Sequence, residues 1–332
     1  MSSRVLVLAD APGWAWERKG LAYQQYLSNE FDITLAYHAA VPSLDDFDLI
    51  HLFEVSQTRV VPEGFRRPVI AGLTAMVWWT WGEETMRRWA GKCVALHGNS
   101  RMLVTQLAPF HSRIYYTPNG VDPEYWSRAV AKAPPRYLEF TACHVGKPNP
   151  RKGAALIVEA CRRAKVPLHL VQRTSQIKYP PEIIRDFYAT SHVQISCSDM
   201  DGTPNPMLEA AAMGNVLIST PIGNMPEFIQ DGENGYLVGR CAMPDPFRPW
   251  IGALAVPNPD DLPEWARWPQ KTIEARREVL IEEIFMRLTE LREKPVLRAQ
   301  LGHAARQTVL DDWTWERQVS HVATMWRDVL DA

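Results

Sequence analysis

Three observations predict an α/β protein built from two doubly wound parallel sheets. Apolar runs of strand length alternate with helical segments from RVLVLAD (Arg4 to Asp10) onward, the pattern of parallel strands joined by crossover helices. The alternation restarts at YLEFTACHVG, after the Pro- and Gly-marked stretch TPNGVDPEYW (Thr117 to Trp126). At 332 residues the chain exceeds one ordinary core, so two domains are expected.

Taken in order, RVLVLAD is a buried strand, APGWAWE a loop, and Arg18 to Asn29 a helix. ITLAYH, DLIHLFEV, PVIAGLT, CVALHG and RIYYTPN follow as strands, with helical segments at Glu83 to Gly91 and Asn99 to Phe110. In the second half, Lys147 stands just after a strand, and Lys152-Gly153 opens an amphipathic helix. Cations at a helix start face its free amide donors, a poor place unless an anion lies between. A solvated basic turn is the plainer alternative. LHLVQRT, a helix at Pro180 to Thr190 and the strand HVQISCS come next.

The stretch from Ser196 to Val238 carries most of the functional signal. Its strand ends at Ser198 and opens into a polar loop at Asp201 to Asn205. Asn205 suits an N-cap, Pro206 suits the first helical position, and Gly214 stops the helix before the buried strand NVLIST. The loop therefore lies at the carboxyl end of a strand beside a helix N-terminus, where open α/β sheets bind ligands and anions are favoured. Asp201 and Glu209 flank it.

This pattern resembles the C-terminal half of retaining, nucleotide-sugar-dependent glycosyltransferases of the GT-B fold, family 4. The family's acid, seven intervening residues, and glutamate in a Leu-Glu-Ala helix correspond to Asp201 and to Glu209 within Leu208-Glu209-Ala210; its Gly-x-x-Pro-Glu turn corresponds to Gly223 through Glu227. The first acid is usually Glu and is Asp here, one methylene shorter. The resemblance is strong from about Thr117 to Val238 and from Leu301 onward, and topological over the first hundred residues.

It implies two Rossmann-like domains facing a central cleft: residues 1–125 as a short acceptor-side domain, 126–310 as the nucleotide-sugar domain, and 311–332 as a helix crossing back to the first. It also implies that Glu209 takes the donor's ribose hydroxyls, that Lys147, Lys152 and backbone donors near Gly202 and Thr203 hold the diphosphate, and that Asp201 with Thr203, Pro204 and Asn205 holds the sugar. Gly13, after Pro12, matches the Gly-rich turn that approaches the diphosphate, although the family's second glycine is Trp14 here. The implied reaction moves a sugar from a UDP- or GDP-sugar to an acceptor hydroxyl with anomeric retention, on the face the diphosphate leaves. No metal and no cofactor beyond this donor is implied; the lysines carry the countercharge.

Composition bounds the partners. A net charge of -2 gives no global attraction to nucleic acid or anionic lipid. Five cysteines, none spaced as Cys-x-x-Cys, read as reduced buried thiols, and Met1 leads almost directly into a strand with no apolar run of spanning length; a cytoplasmic protein is expected. The acceptor is open: a glycan, lipid-linked or small-molecule hydroxyl, or a modified base of bacteriophage DNA, for which the aromatic and arginine-rich segment at Val77 to Lys92 and Arg66-Arg67 would supply phosphate contacts. That segment reads equally as packing. The Pro- and Trp-rich insertion at 241–270 reads first as packing, with a cleft cover or an interface as the alternatives.

Three points stay double. Asp199 competes with Asp201 for the first-acid role, Glu227 reads as a site residue or as a carboxylate complementing a helix dipole, and His51 and His97 read as cleft or core residues. The family's histidine after the fourth strand is replaced by Leu73-Thr74. That absence and Asp for Glu leave a second function class: a turnover-deficient relative serving as a sugar-nucleotide sensor.

Overall fold

The computed structural model describes residues 2–75, 78–132, 139–149, 152–172, 174, 179–239 and 270–332. Apart from Gln270, which starts a helix, the insertion read at 241–270 lies outside the described residues. The chain divides into two units, one formed by residues 1–120 with 315–332 and the other by 121–314.

The first unit grows from β1 (Arg4–Ala9), whose residues after Arg4 are all buried. A strand apolar on both faces must be covered on both, which selects a parallel sheet. The sheet has six parallel strands in the order β2-β1-β3-β4-β5-β6, with β2 at Asp32–Tyr37, β3 at Leu49–Leu52, β4 at Val69–Leu73, β5 at Ala95–Gly98 and β6 at Ile114–Tyr116. Helices α1 (Ala15–Leu27), α2 (Glu83–Ala90) and α3 (Arg101–Leu107) connect the strands, and Ser100 caps α3 by accepting from the Leu103 amide.

The second unit has five parallel strands in the order β11-β10-β9-β7-β8: β7 (Ala142–Gly146), β8 (Leu168–Gln172), β9 (Val193–Ser196), β10 (Val216–Ser219) and β11 (Tyr236–Leu237). Its helices are α4 (Ala154–Ala164), α5 (Pro181–Thr190), α6 (Asn205–Ala212), α7 (Met225–Phe228), α8 (Gln270–Glu293) and α9 (Pro295–Asp312). Two apolar layers sandwich the sheet, one drawn from α5, α6 and α9 and the other from α4 and α8. Helix α6 begins at Asn205, one residue earlier than expected, with Pro204 in the N-cap position; the Asn205 amide donates to the Thr203 carbonyl and the Met207 amide to the Pro204 carbonyl.

The last helix, α10 (Trp315–Leu330), belongs to the first unit. Trp326 is fully buried there, meets Tyr23 and Phe31 edge-on at 5.7 and 5.1 Å, and donates its indole N–H to His51 Nδ1 at 2.9 Å. The chain passes from one unit to the other at Gly120–Val121 and returns at Thr314–Trp315, and Val121 bridges to Thr314. The expected terminal element began at residue 311; the helix instead breaks after Asp312, and α10 starts at Trp315. Among the described residues, no helix is long and apolar enough to cross a membrane, and four cysteines, Cys93, Cys143, Cys161 and Cys197, are unpaired and buried.

Candidate active site

In the second unit the connection from β7 leads to β8 on one side of the sheet, and the next strand, β9, lies on its other side. Loops diverge at such a point, leaving a crevice at the strands' carboxyl ends. Three loops meet there. The first, after β7, holds Lys147, Lys152 and Gly153; the second, after β9, runs from Ser198 into α6; the third, after β10, runs from Thr220 to Asn224.

Their approach is close enough to require glycine. Gly153 has φ +64°, and a Cβ there would fall 2.5 Å from the Cys197 carbonyl oxygen of the second loop. Gly223 has φ +58°, and a Cβ there would fall 2.1 Å from the Gly202 carbonyl oxygen, which accepts the Asn224 amide at 2.9 Å. Positive φ and lack of space both exclude side chains at these two positions.

The packing brings together two of the expected site residues directly. Lys152 donates to the carboxylate of Asp201, at 2.6 Å to Oδ2, with the two side chains 26% and 18% exposed. Burial pushes the Asp201 carboxyl up, but the Lys152 charge and hydrogen bond, a hydrogen bond from Ser198 and the charge of Lys147 outweigh it and hold the acid below its ordinary value. Lys147 is exposed at the end of β7. Of the two acids weighed for this place, Asp201 is the one that meets the lysine.

Glu209, one turn into α6, is buried, and its Oε2 accepts the Tyr188 hydroxyl at 3.1 Å. Gly202, Thr203 and Pro204 are buried in the same loop as Asp201, and Asn205 is half-buried. Glu227 lies in the first turn of α7, where a carboxylate complements the helix dipole.

The first-unit candidates have different surroundings. Gly13 is exposed with φ +83° and donates its amide to Glu17 Oε2 at 2.6 Å, so that donor serves the start of α1. His51 and His97 are interior. Their rings lie 4.7 Å apart, and His97 bonds the Leu52 carbonyl at 3.1 Å and the Thr117 hydroxyl at 2.9 Å. Burial pushes both imidazoles down, His97 to about 3. Trp89 is half-buried against Trp81 at 5.3 Å and beneath Arg59, so these two tryptophans pack within the unit.

One first-unit feature was not expected. Lys19, in the middle of α1, is 2% exposed; desolvation lowers it to about 7, with the charge of Glu54 opposing. Glu54, just beyond β3, is 5% exposed, and burial pushes it up to about 8 although Thr74 donates to it at 3.1 Å. In the sequence, Arg18-Lys19 looks like an ordinary polar helix face; only the sheet beneath α1 shows that Lys19 turns inward.

Residues 110–247 match the family model described as glycosyl transferases group 1. The chain has the two-domain fold of the GT-B glycosyltransferases. It is similar to sucrose-phosphate synthase from Thermosynechococcus elongatus, with a TM-score of 0.72, 12% identity, and 99% of each chain covered. It is also similar to HepE of Anabaena, solved in complex with UDP and glucose, with a TM-score of 0.65, 12% identity, and 98% of this chain and 100% of that one covered. A glycosyltransferase from Rickettsia africae gives a TM-score of 0.65 at 13% identity, with 99% of each chain covered. No curated protein matches the chain.

Proposed function

We propose that the second unit binds a nucleoside-diphosphate sugar, with UDP-sugar the first candidate, and that the protein transfers the sugar to an acceptor hydroxyl with retention and without a metal. The observation that carries this reading is the meeting of Lys152 and Asp201 beside Lys147 at the carboxyl ends of β7 and β9. A basic pair and an acid held together by three loops at a sheet switch point suit one ligand that is anionic at one end and hydroxylated at the other. HepE, which shares the fold, was solved with UDP and glucose, and this supports the choice of base.

In this reading the diphosphate lies against Lys147 and Lys152 and competes with Asp201 for the Lys152 ammonium. Asp201, released from that contact, accepts hydroxyls of the sugar, and Glu209 accepts those of the ribose. The bond from the anomeric carbon to the leaving phosphate oxygen breaks while the bond to the acceptor oxygen forms on the same face. The acceptor's proton passes to the departing phosphate oxygen. Charge grows on that oxygen as the bond breaks, and the ammonium groups of Lys147 and Lys152 stabilise it. Gly202, Thr203, Pro204 and Asn205 are assigned to backbone contact with the diphosphate and sugar.

A panel of UDP-, GDP- and ADP-sugars tested by thermal shift identifies the donor, since a ligand at a hundred times its Kd adds ~2.7 kcal/mol. Slow release of nucleoside diphosphate, abolished in Glu209→Ala and Lys152→Ala, supports the enzyme. Tight binding with no turnover on glycan, lipid-linked, small-molecule or modified-base acceptors would instead support the sensor.

A further inference from the structure

We propose that His144 is a third cationic partner of the donor diphosphate, a positioning residue that takes up a proton when the diphosphate binds and releases it when the diphosphate leaves. The inference rests on the reading of the second unit as the nucleotide-sugar site. It goes beyond that reading by assigning a residue outside the loop motifs.

The argument starts from strand geometry. His144 is the third residue of β7, the strand whose carboxyl end borders the crevice, and it is 2% exposed. Its Nδ1 lies 2.9 Å from the Ile195 carbonyl oxygen of β9. A carbonyl only accepts, so Nδ1 carries the proton in the neutral ring and Nε2 keeps a lone pair. Nε2 is buried and has no hydrogen-bond partner among the described residues.

The ring's direction follows from Gly146. A Cβ at that position would fall 2.8 Å from His144 Nε2. The imidazole therefore leans along the strand toward its carboxyl end and lies under Gly146, which must stay without a side chain to leave it room. That is the end where Lys147, Lys152 and Asp201 stand. Both Lys152 and Asp201 act on the ring, the lysine disfavouring its protonation and the acid favouring it.

Among the described residues, the charged groups at this end of the sheet include Lys147 and Lys152 after β7, Asp199 and Asp201 after β9, Glu209 on α6 and Glu227 on α7. Without ligand, burial leads the influences that keep the imidazole neutral. A diphosphate placed between the ring and Lys152 changes two of these influences. It adds negative charge, which favours the imidazolium, and it offsets the lysine's repulsion. The proton comes from solvent to Nε2, which then donates to a phosphate oxygen; when the nucleoside diphosphate leaves, the proton returns to solvent or goes with it.

Calorimetric titration of UDP into the full-length protein at neutral pH, in two buffers of different ionisation enthalpy, counts the protons taken up. The expected result is a larger uptake in the wild type than in His144→Gln and His144→Phe. UDP binding should weaken roughly tenfold in His144→Phe and less in His144→Gln, whose amide can still donate. If His144→Phe does not fold, His144→Gln and the wild type carry the test. Histidine-selective NMR of the wild type then reads the ring directly, which should change from the neutral Nδ1–H form to imidazolium on adding UDP. Equal proton uptake in wild type and His144→Gln, or an imidazole that stays neutral in the complex, overturns the assignment while leaving the nucleotide site standing. If UDP, GDP and ADP all give neither heat nor thermal shift, the donor-site reading falls and this inference falls with it.

Discussion

At the residue scale, Lys152 and Asp201 are 49 positions apart in sequence, yet their charged ends share hydrogen bonds. Removing the lysine leaves Asp201 partly buried without its nearest countercharge and, in the proposed reaction, takes one ammonium from the leaving group. Lys152→Ala should therefore lower kcat/KM by ~100-fold or more, measured as initial rates of diphosphate release. Gly223 is a second critical position. In Gly223→Ala the new methyl would meet the Gly202 carbonyl oxygen, 2.1 Å away, at φ +58°. The expected outcome is a stability loss of ~2 kcal/mol or more with weakened donor binding, read by denaturant titration and by UDP affinity. The acid spacing and the Gly-x-x-Pro-Glu turn were legible because they are short, local patterns. His144 was not, because nothing in ACHVG says which way the ring leans until Gly146 is seen to make room for it.

At the element scale, α10 completes the first unit's core from the far end of the chain. Its aromatic anchor is Trp326, held by Tyr23, Phe31 and the His51 ring nitrogen. Trp326→Ala should cost ~3–5 kcal/mol by leaving a cavity and an unpartnered imidazole, and chemical denaturation with a first-unit fluorescence probe would measure it. The crossover of this helix was legible as a resemblance. Its start was not, because DDWTW reads as continuous helix while the backbone breaks there: the Trp313 carbonyl accepts the Val121 amide, and Thr314 bridges to Val121. The start of α6 differs for a related reason. Asn205 is a good capping residue by type, but Pro204 precedes the first turn and backbone bonds from Asn205 and Met207 close it.

At the scale of the whole molecule, the two doubly wound sheets follow from strand-length apolar runs, and the structure divides the chain at residue 120, close to the turn at Thr117 to Trp126. What alternation did not convey is the burial of ionisable groups inside the first sheet's layers. Glu54 keeps its proton up to about 8 in the folded chain and near 4.5 when unfolded, so between those values the folded state binds more protons and stability falls as pH rises. Lys19, lowered to about 7, acts in the opposite sense only above that pH. Wild-type stability should thus fall relative to Glu54→Gln by ~1 kcal/mol per pH unit between about pH 5.5 and 7, and parallel curves for the two proteins would refute this.

The account rests on one site in the second unit, and a crystal structure of the protein soaked with UDP tests it most directly. The β-phosphate should lie within ~3 Å of the ammonium groups of Lys147 and Lys152, with Asp201 turned away from Lys152. A nucleotide bound elsewhere, with the contact between Lys152 and Asp201 intact, would contradict it.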